Sequence, residues 1–119
     1  MRPLDLQSLH QDIETFTHER DWDQFHSVKN LAMALSVESS ELLEIFQWMR
    51  EEESNLAHQD EKLLEKIEDE VADIFIYLLR IVSKTHLDLE ACIERKMEKN
   101  AKKYPVELSR GSSKKYTQL

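Results

Sequence analysis

The sequence predicts an all-α fold, four helices packed in a bundle-like arrangement, from three observations. Glycine occurs once, at Gly111, and residues 4 to 104 contain neither glycine nor proline, so the usual punctuation of hairpins and sheets is missing. Apolar residues recur at three- and four-residue spacing through most of that span. Residues able to cap a helix stand in front of these periodic runs.

Asp5 caps a first helix whose apolar face is Leu6, Leu9, Ile13 and Phe16, ending near Arg20. The following RDWDQFHS carries two aromatics and a histidine, a loop with something to hold, before Ser27 caps a second helix running to about Arg50. The polar EEESNLAHQD, residues 51 to 60, is a connection, and a third helix follows from about Glu61 to Lys84. A fourth starts near Asp88 and stops before Pro105, which cannot continue a helix. One all-α domain over residues 1–104 and a flexible basic tail over 105–119 are expected, since Glu107 stands there against Arg110, Lys114 and Lys115. There is no internal repeat.

The formal net charge of −8 argues against a general binder of nucleic-acid polymers, which are held by a surplus of Lys and Arg. An anionic substrate would need a cation to mediate. Cys92 is the single cysteine, which excludes an internal disulfide and a multi-cysteine zinc site and fits a reducing compartment. The start, MRPLDLQSLHQDIETF, lacks a continuous apolar stretch, and no run reaches the roughly 18 apolar residues that a membrane span requires. A soluble cytoplasmic protein without a membrane partner is expected. With Gly111 alone, the chain cannot build the glycine-rich loops that cradle phosphates on backbone amides. Phosphates would have to be met by metal ions and side chains.

On a helical wheel of about 100° per residue, Leu31, Ala34, Leu42, Ile45 and Met49 all lie within about 40° of Glu38. Glu38 is therefore inside the apolar stripe, with Glu41 about 60° to one side, next to Trp48. The third helix repeats this arrangement: Glu70 shares its side with Leu63, Ile74, Tyr77 and Ile81, and Asp73 lies at the border beside Tyr77. Among 24 acidic residues an E-x-x-E is common, and Glu65-x-x-Glu68 reads as ordinary surface. Two pairs embedded in the apolar faces of two long helices do not. Four carboxylates converging between helices repel one another unless cations or protons neutralise them.

Oxygen-only ligands select hard ions, Mg²⁺ first and Mn²⁺ as a substitute. A di-iron bundle would need Glu-x-x-His on two helices, and none of the histidines at 10, 18, 26, 58 and 86 has a glutamate three residues before it. Mg²⁺ keeps waters and bridges carboxylates to substrate phosphates, so the pattern points to phosphate chemistry.

Glu38-x-x-Glu41 followed by Glu70-x-x-Asp73 resembles the E-x-x-E…E-x-x-D signature of the MazG-like, dUTPase-related superfamily of all-α nucleoside triphosphate pyrophosphohydrolases. RDWDQFHSVKNLAMALSVESSELLEIFQW, DEVADIFIYLL and SRGSSKKYTQL are similar to the dCTP pyrophosphatases of that superfamily, so the likeness covers the chain from about Leu6 onward. The resemblance implies the MazG fold and hydrolysis of a (deoxy)nucleoside triphosphate, dCTP or a related dNTP, to the monophosphate and pyrophosphate. It implies Mg²⁺ held by Glu38, Glu41, Glu70 and Asp73, with Glu38 or Glu41 accepting the proton of the attacking water.

The same likeness assigns Lys96 and Asn100 to phosphate and sugar, Trp22, His26 and Trp48 to the base, and Tyr77 to the sugar. Lys29 and Asn30 open the second helix, where amides and a cation favour anions. The basic tail with Lys114 and Lys115 is placed to close over a triphosphate. Ile13 departs from the family, where a histidine is expected, which bears on base preference.

The stretch ADIFIYLL, Ala72 to Leu79, is apolar nearly all round, and four short helices cannot cover it on every side. A homodimer is the minimum, and the resemblance implies a tetramer of two dimers with sites completed by a neighbouring subunit. The alternative is a non-catalytic helical module for nucleotide binding, protein interaction or oligomerisation. It predicts no pyrophosphate release, and Glu38 and Glu70 satisfied separately by Lys29, Lys66 or Lys84.

Overall fold

Every regular element is helical, and the termini of the long helices follow the local chemistry of the sequence. A computed structural model describes residues 1–119, which form six α-helices, three 3₁₀ turns and no strand. They are α1 (Leu6–Glu19), α2 (Val28–Phe46), α3 (Glu51–Ser54), α4 (Glu61–Thr85), α5 (Leu89–Lys103) and α6 (Val106–Ser109). The chain divides into two compact units, Met1–Thr85 and His86–Leu119.

The two expected caps are in place, and Asp88, near which the fourth long helix is expected to start, is a third. Asp5 accepts from the Ser8 amide at 3.0 Å, Ser27 from Asn30 at 3.1 Å and Asp88 from Ala91 at 3.0 Å, each filling one of the orphan donors of a helix start. Asp60 does the same for α4, accepting from Leu63 at 3.1 Å. With no glycine before Gly111, the left-handed positions that turn the chain after α1 and α4 fall to Asp21 (φ 52°) and His86 (φ 56°), residue types that tolerate this region better than most.

Two expectations are corrected. α2 ends at Phe46 rather than near Arg50, and the polar connection is itself largely helical, with α3 and a 3₁₀ turn at Ala57–Gln59. The cause is one short nucleus. Glu51, Glu52 and Glu53 fill the first turn of α3, where carboxylates oppose the positive end of the helix, and Arg50 Nε donates to Glu53 Oε1 at 2.7 Å.

In the first unit α2 packs along α4, and α1 lies against α4. Leu31 on α2 and Leu79 on α4 are the fully enclosed apolar side chains, at 1% and 5% exposure. Leu31→Ala is expected to cost about 2–5 kcal/mol of stability, read from urea unfolding, because the surrounding helices cannot collapse onto the space it leaves. Elsewhere α4 keeps apolar side chains in solvent: Val71, Phe75 and Leu78 share one face at four- and three-residue spacing and are all exposed. In the second unit Tyr116, in the last 3₁₀ turn, meets the end of α5: its ring stands edge-on to Tyr104 at 6.0 Å, with Lys103 Nζ 4.8 Å above it.

Candidate functional site

The pairing of α2 with α4 brings the embedded acids together. Glu38, Glu41 and Glu70 place carboxylate oxygens within 4.8 Å of one another. Glu38 and Glu70 are half-buried while Glu41 is exposed. Oε2 of Glu38 and Oε2 of Glu70 are both enclosed with no hydrogen-bond donor in the protein. Leaving such oxygens unmet is costly. None of the lysines that could have satisfied them does so: Lys84 Nζ is paired with Asp23 at 2.7 Å, and Lys29 and Lys66 form no ion pair.

The titration of the cluster shows the same strain. Burial, hydrogen bonding to Glu70 and Glu41, and the charges of Glu41 and Asp73 push Glu38 from 4.5 up to about 7. Glu70 is also raised: its hydrogen bond with Glu38 lowers it, but burial, Glu41 and Asp73 outweigh that contribution. Two orphaned carboxylate oxygens beside a third carboxylate form an all-oxygen donor set that could hold a metal ion. Asp73 stands outside the group of three, one turn along α4 from Glu70, close enough that its charge acts on both Glu38 and Glu70.

Two recesses flank the cluster. A polar one of about 400 Å³ has Glu41, Glu44, Lys66, Asp69 and Glu70 on its walls. The other, a largely apolar pocket of about 460 Å³, is formed by α1, the loop after it and α4. Asp73 and Tyr77 stand at this pocket, together with Ile13, Phe16, Trp22 and His26. Its aromatic wall is continuous. Trp22 meets Phe16 edge-on at 5.7 Å and His26 at 6.5 Å, and the Arg20 guanidinium caps the Phe16 ring at 3.6 Å. Burial, then the charges of Glu38, Asp73 and Glu41, raise the Tyr77 hydroxyl above its usual value, so it stays a hydrogen-bond donor at neutral pH.

The pocket thus gathers Trp22 and His26 from the loop after α1 with Asp73 and Tyr77 from α4. Lys29 and Asn30 are exposed at the start of α2 and line neither recess; the Asn30 amide donates to the Phe25 carbonyl at 3.0 Å, closing the loop. Trp48 lies past the end of α2, 90% exposed, and lines neither recess. Lys96, Asn100, Lys114 and Lys115 belong to the second unit.

Arg80 is the residue the sequence reading missed. It lies at the pocket, 2% exposed, bound to Glu14 and Asp23. The available signal was its position as the lone charge in the run Leu78, Leu79, Arg80, Ile81, Val82. A guanidinium enclosed in an apolar helix face needs carboxylate partners.

An all-helical chain in which Glu38, Glu41 and Glu70 meet, with Asp73 one turn away at an aromatic pocket, agrees with the family comparison: the model of the MazG-like family matches residues 33–119, and the chain belongs to that family. Among curated relatives, dCTP pyrophosphatase 1 of Rattus norvegicus is 41% identical over 115 residues, 97% of this chain and 66% of the relative. The Homo sapiens protein of the same name is 37% identical with the same coverage, so the chain spans about two thirds of the length of these relatives. A solved pyrophosphatase from Archaeoglobus fulgidus is similar with a TM-score of 0.76 and 36% identity, over 88% of this chain and 96% of that one.

Proposed function

We propose that this protein is a nucleoside triphosphate pyrophosphohydrolase dependent on Mg²⁺, with Mn²⁺ as a substitute, cleaving dCTP or a related dNTP to the monophosphate and pyrophosphate. The observation that carries the reading is the pair of buried, donorless oxygens on Glu38 and Glu70, one turn of α4 away from an aromatic-lined pocket that Asp73 and Tyr77 border. The relatives' names supply the substrate class.

Glu38, Glu41, Glu70 and Asp73 would hold the ion, Asp73 from the side of the pocket. A divalent ion there would supply charge neutralisation at the phosphates and activation of water. Trp22 and Phe16 offer the base a stacking surface, and Tyr77 donates a hydrogen bond toward the sugar. Water attacks the α-phosphorus, the bond to the bridging oxygen of pyrophosphate breaks, and the proton released by the water passes to the Glu38–Glu41 pair. Lys96, Asn100, Lys114 and Lys115 are assigned to phosphate and sugar, and Lys29 and Asn30 to the same anion.

The working unit in this reading is a homo-oligomer, a dimer at least and a tetramer by family likeness. The exposed Val71, Phe75 and Leu78 face and the 90% exposed Trp48 support it, since apolar groups of this size are normally covered. Sedimentation should give a mass at least twice the 14.1 kDa of the chain, and Phe75→Glu should shift it toward the single chain.

Pyrophosphate release from the eight natural nucleoside triphosphates with Mg²⁺ tests the function. The expected result is selective turnover of a pyrimidine deoxynucleotide, with the monophosphate as co-product. Glu65→Gln, on the exposed side of α4, should behave as wild type. No pyrophosphate from any of the eight would overturn the proposal.

A further inference from the structure

Arg80 takes no part in the hydrolysis outlined above, yet its side chain is the most enclosed charge in the protein, 2% exposed. Each of its nitrogens has a different partner. Nη1 donates to Glu14 Oε1 at 2.7 Å, Nη2 to Asp23 Oδ1 at 2.8 Å and Nε to His26 Nδ1 at 3.4 Å. Two partners lie on the loop that carries Trp22 and His26, and the third lies on α1, which carries Ile13 and Phe16. The carboxylates are held from behind as well: Ser83 Oγ donates to Glu14 at 2.7 Å, and Lys84 Nζ meets Asp23 at 2.7 Å. A rigid guanidinium fork of this kind fixes relative position as well as charge.

The third contact also fixes a proton. A guanidinium only donates, so His26 Nδ1 must offer its lone pair, and the neutral ring carries its hydrogen on Nε2. Burial and the positive charges of Arg80 and Lys84, opposed by Asp23, keep the ring below its usual pKa. At neutral pH it is a donor of one defined direction.

We propose that Arg80 is a positioning residue for base selection: it holds the Trp22–His26 loop as a preformed wall and presents His26 Nε2–H to an acceptor, such as a ring carbonyl, on the nucleobase. This rests on the nucleotide reading above.

The test is steady-state pyrophosphate release from the most and least preferred of the eight triphosphates. Arg80→Met, Arg80→Lys and Asp23→Asn are compared with wild type, together with ¹⁵N spectra of the histidines. Asp23 is 60% exposed, so Asp23→Asn weakens the tie to the loop by removing its charge while Arg80 keeps Glu14 as its ion-pair partner, and it decides the matter should Arg80→Met fail to fold. The expected result is a KM for the preferred triphosphate raised on the order of tenfold in Arg80→Met and Asp23→Asn, as for a misplaced binding wall. The kcat should stay within about twofold, and the KM for the disfavoured triphosphate should hardly move. Arg80→Lys should recover part of the loss. In wild type the His26 spectrum should show a bare Nδ1 and a protonated Nε2, and in Arg80→Met a mixture.

Unchanged KM values in both variants, equal losses for both triphosphates, or a proton on Nδ1 in wild type would each overturn the proposal. Turnover with unmoved KM values refutes the role of Arg80 alone. A wild type that turns over none of the eight refutes the nucleotide reading and the selection role with it.

Discussion

Glu38→Gln is expected to remove pyrophosphate release by two orders of magnitude or more while making the ion-free protein more stable. The two effects share one cause. Glu38 is an enclosed carboxyl facing Glu41 and Glu70, with an oxygen that no donor reaches. Glutamine in its place removes a repelling charge and brings an N–H₂ that can donate to Glu70, so the fold gains. The ion loses one of its ligands, and losses on the order of 10²-fold or greater follow when such a group is removed from a reaction that depends on charge neutralisation. A melting curve in chelator should show the midpoint a few degrees above wild type, against a flat activity trace. A loss of activity together with a lower midpoint would mark Glu38 as a packing residue instead.

The second large effect is on pH and ions together. The carboxyl of Glu38 is raised from 4.5 to about 7 in the folded protein, and that of Glu70 is raised too. A raised carboxyl favours the folded state while it is protonated. Its stabilisation is therefore complete below about pH 4.5 and is lost as pH rises through about 7. In chelator the thermal midpoint should fall across this window, and Glu38→Gln should flatten the fall. Mg²⁺ competes with the same protons, so its stabilisation should be small near pH 5.5 and large at pH 8. At about a hundred times its dissociation constant, an ion contributes ~2.7 kcal/mol, on the order of 10 °C for a domain of this size. A midpoint that rises with pH in chelator, or Mg²⁺ stabilisation independent of pH, would contradict the assignment. Glu14 and Asp23 act in the other direction. Glu14 is lowered by Ser83 and Arg80 against its burial, and Asp23 by Lys84 and Arg80. Their stabilisation is lost only as pH falls below the ordinary carboxylate range, outside this window.

Much of this organisation was legible because it is local. Asp5, Ser27 and Asp88 cap helices through bonds three residues long, and the apolar stripe that carries Glu38 is set by the turn of the helix itself. The convergence of Glu38 with Glu70 could be inferred because each sits on the face its helix must bury. What escaped was non-local or a contest between neighbours. Arg80 finds Glu14 and Asp23 at separations of 66 and 57 residues, and nothing in the spacing announces either partner. α2 stops at Phe46, short of the expected Arg50, and three glutamates that look like solvent-exposed filler start a helix of their own at Glu51. Trp48 is left 90% exposed and away from the aromatic pocket because α2 ends at Phe46, two residues before it.

The carboxylate cluster as an ion site is the central claim, and binding of Mn²⁺ followed by electron paramagnetic resonance tests it without reference to any substrate. Wild type and Glu65→Gln should take up Mn²⁺ saturably and release it to excess Mg²⁺, whereas Glu38→Gln and Glu70→Gln should leave the free-ion signal undiminished. Equal uptake by all four proteins would show that the ion binds elsewhere on this acidic chain and that Glu38 and Glu70 hold only each other's proton.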